Sequence, residues 1–103
     1  MYGTLSVGIY ADECHDALES ARDKWYGDAA PVANTLAAVR VSRDEDGTCF
    51  ELVHREHLGN PSSATLCFAT FSGDVRFGDL SDAQQWRVAN QFSNRIVELN
   101  LDD

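Results

Sequence analysis

The chain has 103 residues, and its 17 acidic side chains against 8 lysines and arginines give a formal net charge of -9 at pH 7, with a sequence pI of about 4.5. With 44% hydrophobic and 24% charged residues, the composition excludes collagen-like, low-complexity and disordered classes, and the length predicts one domain over residues 1–103. A chain of this size buries roughly 65% of the surface its unfolded form exposes, so a core needs no metal or disulfide staple and no cofactor is expected on stability grounds.

Residues Tyr2 to Tyr10 alternate, with Leu5, Val7 and Ile9 on one face, which predicts a half-buried strand. Asp12 stands where an N-cap belongs, and Glu13 and Asp16 follow in the first turn, where the helix dipole favours acids. The helix is expected to run to about Tyr26, with Cys14, Leu18, Ala21 and Trp25 as its apolar stripe and Gly27 as its stop. Asp28 to Asn34, with Pro31, reads as a loop or a single helical turn. From Leu36 the period becomes two: Val39 and Val41 alternate with Arg40 and Ser42, Asp46-Gly47 supplies a hairpin turn, and Thr48 to His54 returns with Phe50 and Leu52 inward. After a connecting loop at Leu58 to Ser63, Thr65 to Phe71 and Val75 to Phe77 predict two further strands around Ser72-Gly73-Asp74. Ser81-Asp82-Ala83-Gln84 matches a capping box that opens a long terminal helix, with Ala89, Phe92, Ile96 and Leu99 buried, Trp86 and Val88 at the shoulders, and Asn90, Gln91 and Asn94 in water. The expected fold is α+β: a mainly antiparallel sheet of four to five strands with two helices on one face, in the order β-α-β-β-β-(β)-α.

Two features mark the compartment. The N-terminus has no basic region ahead of an apolar segment, and no run approaches the roughly 18 apolar residues of a membrane span. Cys14, Cys49 and Cys67 are odd in number and lack CxxC spacing, which favours free thiols in a reducing cytoplasm. The net charge opposes direct nucleic-acid binding, because phosphates are neutralised by lysine and arginine, and Arg40 and Arg43 run at once into Asp44-Glu45-Asp46.

The first helix carries the most suggestive pattern. Asp12, Asp16, Glu19 and Asp23 repeat the spacing of the apolar stripe, displaced by two residues, which puts them roughly opposite the core. The resulting ridge holds four acids over roughly 16 Å, one per about 5 Å, against one charge per ~1.7 Å of duplex DNA. The ridge alone is therefore a sparse duplex mimic, and mimicry needs Asp44, Glu45 and Asp46, or Asp74 and Asp79, to join its surface. Tyr26, at the end of the helix, and Trp86 are candidate aromatic anchors. The plain alternative is a solvated helix face, supported by Arg22 and Lys24 as local partners.

Catalytic constellations are not evident. Cys14-His15 lies at a helix start, but Asp12, Glu13 and Asp16 oppose a thiolate there. His54-Arg55-Glu56-His57 suggests metal or ligand binding, yet no HExxH or paired-cysteine spacing supplies further ligands, and Cys49 shares the face of Glu51 rather than that of Phe50. The expectation is a non-enzymatic, cytoplasmic interaction protein that inhibits or sequesters a basic, nucleic-acid-handling protein through Asp12, Asp16, Glu19, Asp23, Asp44, Glu45, Asp46 and Tyr26. Phage-type defence inhibitors such as anti-CRISPR proteins, immunity proteins and antitoxins share this size and charge. The alternatives are a small metal- or ligand-binding domain using His54 and His57, and a generic acidic domain adapted to high salt.

Overall fold

Alternation between Leu36 and His54 places every second side chain on one face, and the chain folds back on itself accordingly. In the computed structural model, which describes residues 8–21, 30–57 and 65–102, strands β2 (Ala37–Arg43) and β3 (Gly47–His54) pair antiparallel with Val39 opposite Leu52 and Val41 opposite Phe50. All four of these side chains are buried. The turn between the strands is Asp44 to Asp46 rather than Asp46-Gly47. Asp44 Oδ1 accepts from the backbone N–H groups of Asp46 at 2.8 Å and Gly47 at 3.0 Å, so the aspartate builds the turn with its side chain. Gly47 belongs to β3 and pairs with Ser72, where a Cβ would collide with the Phe71 carbonyl oxygen. Its lack of a side chain serves close strand approach.

β4 (Cys67–Ser72) pairs antiparallel with β3, placing Ala69 opposite Phe50 and Cys67 opposite Leu52. On the far side, Ala30–Pro31 forms a two-residue strand, β1, against β2, within the stretch expected to be a loop or helical turn. A proline without an N–H suits this edge position. The sheet order is β1-β2-β3-β4. No strand forms at Val75 to Phe77: the N–H of Val75 donates to Thr48 Oγ1, that of Arg76 donates to Asp79 Oδ2, and Phe77–Asp79 is a 3-10 turn. Phe77 is thereby driven into the core, edge-on to Phe50 at 5.7 Å, instead of alternating along a strand.

Helix α1 spans Ala11–Ser20, and its N-cap is Tyr10, so Asp12 is the second helical residue and caps nothing. No side chain caps the first turn, and tertiary contacts instead hold the chain that leads into it. Ser93 Oγ accepts from Tyr10 N at 2.9 Å, and Asn90 Oδ1, expected in water, accepts from Gly8 N at 2.8 Å. Gly8 to Tyr10 form a turn into the helix, and Ile9 is 72% exposed rather than inward; Tyr2 to Val7 lie outside the described residues. The helix ends at Ser20 because Ala21 turns extended, with ψ of 131°, instead of continuing to Tyr26. Trp25, Gly27 and the loop expected at Leu58 to Ser63 also fall outside the described residues, and Ala21 is half-buried.

Helix α2 (Asp82–Glu98) opens with the expected box: Gln84 N donates to Ser81 Oγ at 3.1 Å and Ser81 N to Gln84 Oε1 at 3.0 Å. It closes with Asn100 in the left-handed region at φ 55°, Leu101 N donating to Ile96 O at 3.0 Å and Asn100 N to Val97 O at 3.2 Å. This motif buries Leu101 and leaves Leu99 36% exposed, reversing the expected stripe end. Gly8 and Tyr10 meet Asn90 and Ser93, whereas His15 meets Gln85, so α1 runs antiparallel to α2. Both helices cover the sheet face of Val39, Val41, Phe50 and Leu52, contributing Cys14, Leu18, Phe92 and Ile96 to one cluster. Each large aliphatic or aromatic side chain fully buried there contributes about 1.5–3 kcal/mol.

Candidate functional site

Burying Ala11, Cys14, Ala17 and Leu18 turns Asp12, Asp16 and Glu19 to solvent, because a residue two positions along a helix lies about 200° round its axis. These three expected site residues share the outer face of α1. Asp23 and Tyr26 lie outside the described residues, so the described ridge holds three acids. Among the described residues Asp12 and Asp16 have no ion-pair partner. Glu19 Oε1 lies 3.0 Å from His15 Nδ1 on the flank facing α2.

That histidine is held on several sides. His15 Nε2 lies 2.9 Å from Gln85 Oε1, its ring stacks on Trp86 at 4.5 Å with planes 21° apart, and it meets the Phe77 ring edge-on at 5.2 Å. Trp86 is thus half-buried as a cover for His15. The carboxylates of Asp16 and Glu19 and the His15 ring present ligand atoms within 4.8 Å of one another.

The second expected cluster is the hairpin turn, where Asp44, Glu45 and Asp46 are all exposed. Asp44 is committed to the backbone of its turn, whereas Glu45 and Asp46 have no ion-pair partner among the described residues. Asp44 and Asp46 border an open cleft of about 290 Å³, floored by Cys49, Thr70 and Ser72. Arg43, next in the chain, pairs with Asp74 and donates to Val75 O at 2.7 Å. Arg95 of α2 donates to Leu66 O and Gln91 to Phe68 O, so α2 runs against β4, and α1 runs with β2 toward the hairpin turn. The C-terminal end of α1 and the acidic turn therefore point to the same end of the molecule, one from the helix layer and one from the sheet layer.

The remaining candidates separate. Cys49 pairs with Thr70 and Cys67 with Leu52, which puts the two sulfurs on opposite sheet faces. His54 and His57 approach, with ring centroids 5.7 Å apart, and His54 Nδ1 lies 3.5 Å from Glu56 Oε1. Among the described residues no third ligand-bearing side chain joins that pair closely enough to hold a metal. Burial, then the charge of Glu13, pushes the Cys14 thiol up to about 12. Burial, then Glu51, pushes the Cys49 thiol up to about 11. Both changes oppose nucleophilic chemistry.

On the sheet face away from the helices, Glu51 accepts from Thr65 Oγ1 at 2.7 Å, from Ser42 Oγ at 3.1 Å and from Arg40 at 3.4 Å. Burial works to raise its pKa, but these hydrogen bonds and the Arg40 charge outweigh it and hold the carboxyl below its ordinary value. No described helix is long and apolar enough to cross a membrane. The site residue that sequence reasoning missed is His15. Its spacing to Glu19 was a visible signal, but Gln85 and Trp86 reach it only through the helix packing. No protein-family model, curated protein or solved structure matches the chain.

Proposed function

We propose that the chain is a non-enzymatic acidic interaction protein that inhibits or sequesters a basic, nucleic-acid-handling protein through the outer face of α1 and the β2–β3 turn. The observation that carries this reading is how the fold distributes its charges. Four arginines are engaged internally: Arg40 with Glu51, Arg43 with Asp74 and Val75 O, Arg55 with Val32 O, and Arg95 with Leu66 O and Glu98. Asp12, Asp16, Glu45 and Asp46 meanwhile stand exposed without an ion-pair partner among the described residues. Acids free of local cations would steer a cationic partner and speed its association by roughly 10- to 1000-fold at low salt.

A phage-type defence inhibitor, an immunity protein or an antitoxin would each use such a surface to recognise a basic groove. The test is capture from a host lysate at low ionic strength, followed by measurement of the captured partner's affinity for wild type and for Asp12→Asn/Asp16→Asn/Glu19→Gln. The expected result is a basic partner whose affinity falls at least tenfold in the triple variant and weakens with added salt. Capture of no basic protein, or equal affinity for the two forms, overturns the reading.

A further inference from the structure

Residues three and four apart on a helix are neighbours, so Glu19 lies beside both Asp16 and His15, and one turn of α1 gathers three groups that can hold a metal ion. His15 Nδ1 is 3.0 Å from Glu19 Oε1, and one ligand atom from each of His15, Asp16 and Glu19 falls within 4.8 Å of the other two. Nitrogen and oxygen ligands sit about 2.0–2.2 Å from zinc, so two of them bound at roughly 90° to 110° around one ion stand roughly 2.8–3.6 Å apart. The His15–Glu19 spacing is already that of two ligands sharing an ion, and Asp16, which is exposed, closes the remaining distance by rotating its side chain.

The histidine separates this set from an ordinary row of surface carboxylates. Its side chain is 15% exposed, and its ring packs against the Trp86 indole at 4.5 Å and the Phe77 ring at 5.2 Å. Its far nitrogen, Nε2, is 2.9 Å from Gln85 Oε1, and Gln85 is itself held, since its amide nitrogen donates to the Leu80 carbonyl at 2.9 Å. A histidine that binds a metal through one nitrogen commonly gives the other N–H to such an acceptor, which fixes the ring and aims the ligating nitrogen. Here the packing of α2 and of the 3-10 turn already supplies that order, and Nδ1 is the nitrogen that faces the carboxylates.

We propose that His15 Nδ1, Glu19 and Asp16 form a binding site for a divalent cation of the zinc class on α1, with Gln85 as the group that orients the histidine. The site does not depend on which nitrogen carries the proton in the metal-free chain: an ion at Nδ1 replaces any proton there, which passes to solvent, and the Nε2–H keeps Gln85 as its acceptor. One imidazole and two carboxylates make a donor set suited to zinc rather than to magnesium or calcium, which take oxygen ligands, and the two carboxylates balance the double charge of the ion. Three protein ligands leave a fourth position for water or for a group of a partner. The site stands on this geometry and does not rest on the proposed recognition of a basic protein.

The test is calorimetric titration of zinc chloride into the whole, untagged chain near neutral pH, repeated with Asp16→Asn/Glu19→Gln, two exposed positions whose replacement leaves the core untouched. The expected result is one ion per chain, with affinity at least about tenfold lower in the double variant, the loss that removing even an outer partner of a ligand causes. Magnesium chloride in excess is expected to leave zinc binding unchanged. A long-range proton–nitrogen correlation spectrum assigns the ion to a residue: the His15 Nδ1 resonance is expected to shift with zinc while Nε2 keeps its proton. No zinc uptake, equal affinity in the two forms, displacement by magnesium, or a shift confined to His54 and His57 overturns the site. Zinc binding as expected in a chain that captures no basic partner counts against the proposed function and leaves the site standing.

Discussion

Arg40 and Glu51 sit opposite each other across β2 and β3, 3.4 Å apart on the sheet face away from the helices, with Ser42 and Thr65 completing the carboxylate's hydrogen bonds. The pair keeps the Arg40 charge engaged with a carboxylate on that face. It also ties folding stability to pH. A carboxyl held below its ordinary value of 4.5 stabilises the fold above that pH, and the contribution disappears as pH falls through the lowered folded value. Urea denaturation followed by tryptophan fluorescence is therefore expected to show wild type losing stability from about pH 4.5 downward, with a shallower loss in Glu51→Gln. Parallel profiles for the two proteins would contradict the assignment.

The start of α1 is secured by α2. Ser93 is fully buried and accepts from Tyr10 N, so Ser93→Ala leaves a donor unsatisfied and should cost about 1–3 kcal/mol. Asn94→Ala, on the exposed side of the same helix, should stay within about 0.5 kcal/mol. Gly8→Ala should destabilise as well, because its Cβ would stand 2.8 Å from Ser93 Cβ. Chemical denaturation of the three variants checks all of these values, and a neutral Ser93→Ala would show that the contact is dispensable.

The two perturbed thiols predict slow alkylation. With Cys14 pushed up to about 12 and Cys49 to about 11, chiefly by burial, their thiolate fractions at pH 8 are on the order of one in ten thousand and one in a thousand. Iodoacetamide labelling followed by peptide mass mapping should modify both far more slowly in the folded chain than in urea. Cys14 labelled equally fast in both states would mean that its site opens readily.

The three turn acids differ in role. Asp44→Ala removes an acceptor used by two N–H groups and is expected to cost about 1 kcal/mol, whereas Asp44→Asn keeps the turn and removes only the charge. Glu45→Gln and Asp46→Asn should change stability by less than about 0.5 kcal/mol. Equal stabilities for Asp44→Ala and Asp44→Asn would show that the side-chain bonds do not hold the turn.

Phe92 and Leu18 come from different helices and meet in one core, and both are fully buried. Replacing either by alanine should cost about 2–5 kcal/mol, with Phe92→Ala toward the upper end. Denaturation midpoints measure this, and a cost below 1 kcal/mol would mean that the helices do not share a packed core.

Local chemistry was legible where neighbouring residues decide the structure. The alternation of Val39 and Val41 with Phe50 and Leu52 specified a hairpin, the Ser81–Gln84 box started α2, and the spacing of Cys14 and Leu18 against Asp12, Asp16 and Glu19 separated the buried from the wet side of α1. These signals are periodic or lie within one helical turn, so they survive without knowledge of the rest of the chain. Distant partners settled the remainder. The helix starts after Tyr10, where Ser93 and Asn90 of α2 hold the N–H groups of Tyr10 and Gly8 in the entering turn, and Phe77 left the strand pattern to place its ring beside Phe50. His15 gained its role from Gln85 and Trp86, about seventy residues away along the chain. The net charge of -9 is a property of composition, but its position is a consequence of folding, since arginines with long, flexible stems find carbonyls and carboxylates inside the tertiary structure and leave the short aspartates outside.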